Sequence, residues 1–102
     1  MIHVIAIVTA QPGQRAAILK AFRANMPAVL AEAGCIEYVP VVDAADGPAS
    51  QSPLGPDTFM VIEKWADMAA LAAHSRAPHM AAYGAKVASL LAGRAVHVLT
   101  VA

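Results

Sequence analysis

The stretch 58–83 constrains the fold of this chain more than any other. It opens with TFMVIEKW, a β-branched and aromatic run in which both alternating sets of side chains are largely apolar. One set is Phe59, Val61, Glu63 and Trp65, and the other is Thr58, Met60, Ile62 and Lys64. Successive side chains of a strand point to opposite faces of its sheet. The sequence therefore predicts a strand that is covered on both faces.

Two short helices are predicted to follow this strand, separated by a break. Asp67 is suited to cap the first helix, over 68–74, and Pro78 is suited to open the second, which runs to about 91. Residues 75–77 form the break between them. Gly93 is predicted to end the second helix, and residues 95–101 to form a closing strand.

The chain before residue 58 reads as a strand, a helix and a second strand. The predicted elements are a strand over 1–9, a helix over 14–33, a strand over 35–42 and a loop over 43–57. Leu19, Phe22 and Met26 recur at helical spacing and define an apolar face, whereas Glu32 lies off it. Pro27 is expected to kink the helix, and Gly34 to end it.

This order of elements predicts a ferredoxin-like α+β fold in a single domain over 1–102, with a four-stranded antiparallel sheet and its helices on one face. Hydrophobic residues make up 59% of the chain, which exceeds the usual share. The second sheet face is also apolar, and a second copy of the same sheet is its simplest cover. We therefore expect a homodimer.

Composition excludes several classes of function. Seven Lys and Arg balance seven Asp and Glu, so no basic surface for nucleic acid is expected. No apolar run is long enough for a membrane span. The N-terminus reads as a strand without a basic leader, and the expected location is the cytoplasm. Cys35 stands alone, and no zinc-site spacing occurs among the histidines, so neither a disulfide nor a metal is expected.

His74 and His79 are the first candidates for chemistry. They are five residues apart across the predicted break, so they need not share a helical face. One of them can act as a base at a pocket mouth, because the ordinary pKa of histidine lies near neutrality. The alternative is that one caps a helix end and the other lies in solvent.

Glu63 is the second candidate, because it is the one acid in an apolar set of strand positions. A buried carboxylate needs a partner, or its pKa rises. Glu63 can serve as a base or orient a histidine, and it can equally form an ion pair with an arginine at a dimer interface.

Aromatic and amide side chains complete the set of candidates. Trp65, Tyr38 and Tyr83 are predicted to contact an aromatic substrate, although such residues also pack ordinary cores. Asn25 lies next to the expected kink at Pro27 and is predicted to point into the pocket.

Three segments carry a resemblance to a known family: AEAGCIEYVPVVDAADG, FMVIEKWAD and AAHSRAPHMAAY. They resemble the antibiotic biosynthesis monooxygenase family, and within it the bacterial quinol monooxygenase branch. The resemblance covers nearly the whole chain. Its most specific residues are Gly34, Cys35, Tyr38, Glu63, Trp65, His74, Pro78, His79 and Met80.

The resemblance implies a dimeric α+β barrel made of two ferredoxin-like subunits. It also implies that O2 oxidises a hydroquinone or polyphenol substrate without flavin, haem or metal. On this model Glu63, Trp65, His74 and His79 lie close to the substrate. The haem-degrading branch carries an Asn, a Trp and an axial His, whereas the corresponding positions here hold Ala6, His74 and Gly84.

Two other functions stay open at this point. A relative of the same fold isomerises a small phosphorylated carbonyl compound and has a similar segment of histidines. That activity would require a cation in the pocket, for which Arg76 is the nearest candidate. The third possibility is a non-catalytic quinone-binding barrel.

Overall fold

The computed structural model describes all 102 residues and contains four strands and three α-helices. The elements in chain order are β1 (Ile2–Ala10), α1 (Arg15–Leu30), β2 (Cys35–Val41), β3 (Thr58–Trp65), α2 (Met68–Arg76), α3 (Pro78–Val87), a 3-10 turn (Ala88–Leu90) and β4 (Leu91–Leu99).

The four strands form one antiparallel sheet in the order β2-β3-β1-β4. This order places β1 and β3 at the centre, and β2 and β4 at the edges. It is the topology of the ferredoxin-like α+β fold, so the predicted fold class is confirmed. None of the helices has the length and hydropathy that a membrane span requires.

The helices cover one face of the sheet, and the main hydrophobic core lies between them. The alternation predicted for β3 is confirmed, because Phe59, Val61, Glu63 and Trp65 are all buried. Ile18 and Phe22 of α1 pack into the same core. The alternate residues of β1 and β3 are only half-buried in the isolated chain.

Local signals explain where the helices start. Asp67 accepts a hydrogen bond from the backbone N–H of Ala70 at 2.8 Å, as an N-cap residue does. Ala77 is extended, which is the conformation favoured before a proline, and Pro78 opens α3. Both starts agree with the sequence prediction.

Three helix ends differ from the prediction. The first helix ends at Leu30 and continues through Pro27, whereas α2 runs two residues past His74 to Arg76. The third helix ends at Val87, and Gly93 lies inside β4, where it is paired with Thr9. Backbone pairing with β1 therefore determines where β4 begins. The presence of a glycine at position 93 does not by itself show whether a helix ends or a strand continues there.

The long loop after β2 is fastened at both ends. Asp43 accepts the backbone N–H groups of Leu54 and Gly55 at 2.8 and 3.0 Å. These two bonds lower the pKa of Asp43. Arg15 of α1 donates to the carbonyl groups of Gly55 and Thr58, and so ties the loop to the start of β3.

Candidate active site

A cavity of about 130 Å³ lies between the helix face of the sheet and helices α1 to α3. Nine of its thirteen lining residues are hydrophobic. The full lining is Ala6, Val8, Phe22, Tyr38, Val61, Glu63, His74, Met80, Tyr83, Gly84, Val87, Leu91 and Arg94. The cavity is thus an apolar chamber that exposes two phenols, one carboxyl group, one imidazole and one guanidinium.

Glu63 lies on the sheet side of this cavity and is bound to its own strand. The indole Nε1–H of Trp65 donates to Glu63 Oε1 at 2.9 Å. The two residues are next-but-one on β3, so their side chains share a face. Burial raises the pKa of Glu63, and the opposing effects of the indole N–H, His74 and Arg94 do not cancel it.

His74 lies on the helix side of the cavity and is bound to a second carboxylate. Its Nδ1 lies 2.8 Å from Glu32 Oε2, and the same oxygen lies 2.9 Å from Nε2 of His79. Both Glu32 and His74 are largely buried. One carboxylate oxygen therefore holds two imidazoles that come from two different helices.

Gly34 explains how Glu32 reaches these histidines. It has a φ of +83°, and a Cβ at this position would lie 2.6 Å from Cβ of Ala70 in α2. Its carbonyl also accepts the N–H of Ala66 at 2.8 Å. Only glycine permits both this backbone conformation and this close approach. The turn that carries Glu32 can therefore lie directly against α2, which carries His74.

Aromatic rings fix the imidazole of His74 in place. Its ring centroid lies 4.6 Å from that of Trp65 and 5.6 Å from that of Tyr38. Nδ1 is engaged by Glu32, and Nε2 has no hydrogen-bond partner in the chain. Because no buried side-chain nitrogen or oxygen lacks a partner, Nε2 is not sealed inside the protein, and His74 lines the cavity.

Tyr38 and Tyr83 supply the phenol groups of the cavity. Burial raises the pKa of both hydroxyls, so both are neutral hydrogen-bond donors at neutral pH. Phe22 holds them from α1, stacked on Tyr38 with centroids 5.0 Å apart and edge-on to Tyr83 at 6.0 Å.

The structure brings four of the seven predicted site residues to the cavity and places three elsewhere. Glu63, His74, Tyr38 and Tyr83 line it. Trp65 is fully buried behind Glu63 and His74. His79 and Asn25 line a separate open hollow, and the Asn25 amide nitrogen lies 3.4 Å from the sulfur of Met80.

Two residues of the site escaped the sequence prediction. Glu32, rather than Glu63, orients the histidines, because the turn at Gly34 folds it back against the helix pair. Its signal in the sequence is an acid two residues before a required glycine. Arg94 lines the cavity from β4. Its signal in the sequence is that it is the one Lys or Arg after Lys86, although it lies just before the predicted closing strand. No group of three or more His, Cys, Asp or Glu side chains is arranged to hold a metal ion.

The fold and the cavity define a class of small ferredoxin-like α+β proteins with an internal site between sheet and helices. The family model described as antibiotic biosynthesis monooxygenase matches residues 1–86. This chain belongs to the antibiotic biosynthesis monooxygenase family.

Individual relatives agree with this assignment. The chain is 45% identical over 89 residues to "Probable quinol monooxygenase YgiN" of Escherichia coli K12, which covers 85% of each protein. It resembles the crystal structure of PA3566 from Pseudomonas aeruginosa, with a TM-score of 0.80, 30% identity and coverage of 99% and 93% of the two chains. Rv0793 from Mycobacterium tuberculosis matches with a TM-score of 0.79, 29% identity and coverage of 99% and 94%.

Proposed function

We propose that this protein uses O2 to oxidise a hydroquinone bound in the cavity, and that it does so without a metal or organic cofactor. The observation that carries the proposal is the imidazole of His74, which lines an apolar cavity, is held by Glu32 on one nitrogen and has no hydrogen-bond partner on the other. The curated relative in Escherichia coli is named for quinol monooxygenation, which is the same class of reaction.

The size of the cavity supports a substrate with one ring inside it. Engineered apolar cavities of roughly 150 Å³ hold benzene, and the cavity here has about 130 Å³. The aromatic walls provided by Phe22, Tyr38 and Tyr83 suit a flat ring. Larger quinols would have to extend their second ring through the open side of the cavity.

Removal of a proton is the step that the site is built to assist. Direct reaction of O2 with a neutral organic molecule is spin-forbidden, and a hydroquinone anion transfers an electron far more readily. A phenol has a pKa of about 10, so the anion is scarce at neutral pH. His74 Nε2 takes the hydroxyl proton, and Glu32 at Nδ1 stabilises the imidazolium that forms.

The electrons then pass to O2. The anion gives one electron to O2, which yields a semiquinone and superoxide. Transfer of a second electron and protons forms the quinone and H2O2. If the two radicals instead combine at a ring carbon, the hydroperoxide loses water and leaves a hydroxyquinone. The apolar walls keep the radical pair away from bulk water.

Oxygen uptake by chelator-treated protein with methylhydroquinone tests the proposal. We expect uptake above the rate of autoxidation, in protein without visible absorbance. Catalase then separates the two routes, because it returns O2 only if H2O2 accumulates. Uptake no faster than autoxidation, activity that requires added metal, or turnover of the compound without O2 would overturn the proposal.

We also propose that two copies pair through the uncovered face of the sheet. This face presents half-buried apolar residues of β1 and β3, among them Ile5, Ile7 and Ile62. Its one ion pair joins Lys64 and Glu37 at 3.8 Å within the same chain. Light scattering on the wild type and on Ile7→Glu tests the pairing: a dimer that becomes a monomer supports it, and a wild-type monomer rejects it.

A further inference from the structure

A second hollow adjoins the cavity and is basic. This hollow, the vestibule, has a volume of about 320 Å³ and shares His74, Met80 and Arg94 with the cavity. Arg76, at the end of α2, also lines it. No acidic residue does. The vestibule therefore joins the ring-sized chamber to two guanidinium groups.

Neither guanidinium forms an ion pair within the chain. The ion pairs of the protein are Lys64 with Glu37 and the two histidines with Glu32. The protein has only seven Lys and Arg in total, and two of them converge on this one opening. Unpaired arginines that meet at a concave site are suited to bind a carboxylate or another oxyanion.

The groups that line the cavity and the vestibule indicate which end of a substrate each of them can bind. Apolar walls, Glu63 and His74 enclose the ring. Arg94 lies on the wall that the cavity shares with the vestibule, and Arg76 lies on the vestibule side alone. An anionic group cannot be held next to the buried Glu63 without opposition, whereas the vestibule attracts it. The site therefore suits a substrate with an uncharged ring, which binds in the cavity, and an anionic substituent, which binds in the vestibule.

We propose that the substrate is a single-ring hydroquinone with a carboxylate substituent, which Arg76 and Arg94 bind in the vestibule while the ring occupies the cavity. This inference rests on the proposed function, because it assumes that the bound ring is a hydroquinone that the protein oxidises. The recognition of the carboxylate is independent of turnover and can be measured separately.

Equilibrium binding tests the recognition first. The probes are 4-hydroxyphenylacetate and its methyl ester, which differ in charge and resist autoxidation. We expect calorimetry to show that the acid binds about tenfold more tightly than the ester, as a charge-assisted hydrogen bond provides. The preference should shrink as salt is raised, because the arginines are exposed and their fields are screened.

The double variant Arg76→Gln/Arg94→Gln should lose this preference and bind both probes alike. Arg23→Gln is the matched control, because Arg23 is an exposed arginine of α1 that lines none of these hollows. It should keep the preference, and Arg94→Lys should keep most of it. Equal binding of acid and ester by the wild type, binding of neither, or an unchanged preference in the double variant would overturn the proposal.

Turnover separates this inference from the proposed function. With 2,5-dihydroxyphenylacetate and its methyl ester, the acid should show a higher kcat/KM for O2 uptake, and the difference should vanish in the double variant. A binding preference without any O2 uptake above autoxidation would support carboxylate recognition in the vestibule and reject the proposed oxidase activity. Enzyme-dependent O2 uptake that is equal for acid and ester would support the proposed oxidase activity and reject carboxylate recognition in the vestibule.

Discussion

Glu32 and Glu63 flank the same histidine, yet they are held in different ways. Glu32 comes from the turn after α1, and one of its oxygens lies within 2.9 Å of ring nitrogens on α2 and α3. Glu63 comes from β3 and receives one hydrogen bond, from an indole two residues along the same strand. The first carboxylate joins three elements, whereas the second is satisfied within one.

This difference separates two roles that the sequence analysis considered for Glu63: orienting a histidine, and acting as a buried carboxyl group with a raised pKa. The carboxylate with two imidazole partners can fix a base and balance its charge when it takes a proton. Glu63 has only one neutral donor, and this hydrogen bond does not offset burial, which raises the pKa of its carboxyl group. Four measurements test whether the two glutamates are distinct in this way.

The largest effect is expected for His74→Ala. This change removes the proposed base, and kcat/KM for the proposed hydroquinone oxidation should fall by about a hundredfold or more. Oxygen uptake corrected for autoxidation measures it. His79→Ala is the matched comparison, since His79 shares Glu32 but does not line the cavity, and its loss should be much smaller. Equal losses would show that the two imidazoles act as one unit.

The next effect is expected for Glu32→Gln. The amide keeps the shape but loses the charge that stabilises the imidazolium, so kcat/KM should fall by about tenfold. Glu37→Gln, a change on the sheet surface, should leave the rate unaltered. A rate in Glu32→Gln equal to that of the wild type would show that this carboxylate does not assist His74.

A smaller effect is expected for Trp65→Phe, measured by denaturant unfolding. The change leaves Glu63 without its donor and opens space in the core, so the free energy of unfolding should fall by about 1–3 kcal/mol. The loss should be larger at pH 7 than at pH 4, because the indole N–H stabilises the ionised carboxylate. Phe59→Leu, an equally buried change without a polar partner, should show a loss that does not vary with pH.

The smallest effect is expected for Glu63→Gln. Because the pKa of Glu63 is raised in the folded protein, the folded state binds this proton more tightly than the unfolded state. Its contribution to stability is therefore present at low pH, and it declines as the pH rises from the ordinary carboxyl pKa of 4.5 through the raised pKa of Glu63. Glutamine removes this decline, so Tm at pH 7 should rise by a few degrees relative to the wild type.

At pH 4 the same variant should show no such gain. Thermal unfolding at both pH values measures the difference, with Glu37→Gln as the exposed control. A gain at pH 4 equal to the gain at pH 7 would mean that ionisation of Glu63 does not limit stability.

The fold was predictable because its signals are local. The alternation in β3 named its buried face, and Asp67 and Pro78 marked the starts of two helices. The order of elements then left few topologies for a chain of this length. The start of β4 was not predictable in this way, because Gly93 reads as a helix stop until it is known to pair with Thr9.

The site was predictable only in part, for the same reason. The sequence by itself determined that Glu63 and Trp65 share a face, since strand geometry fixes the relation of residues two apart. Only the tertiary structure decided that Glu32 binds His74 and His79, which lie 42 and 47 residues away, and that Arg94 reaches the cavity from the last strand. Contacts between distant residues depend on how whole elements pack, and no spacing along the chain encodes that packing.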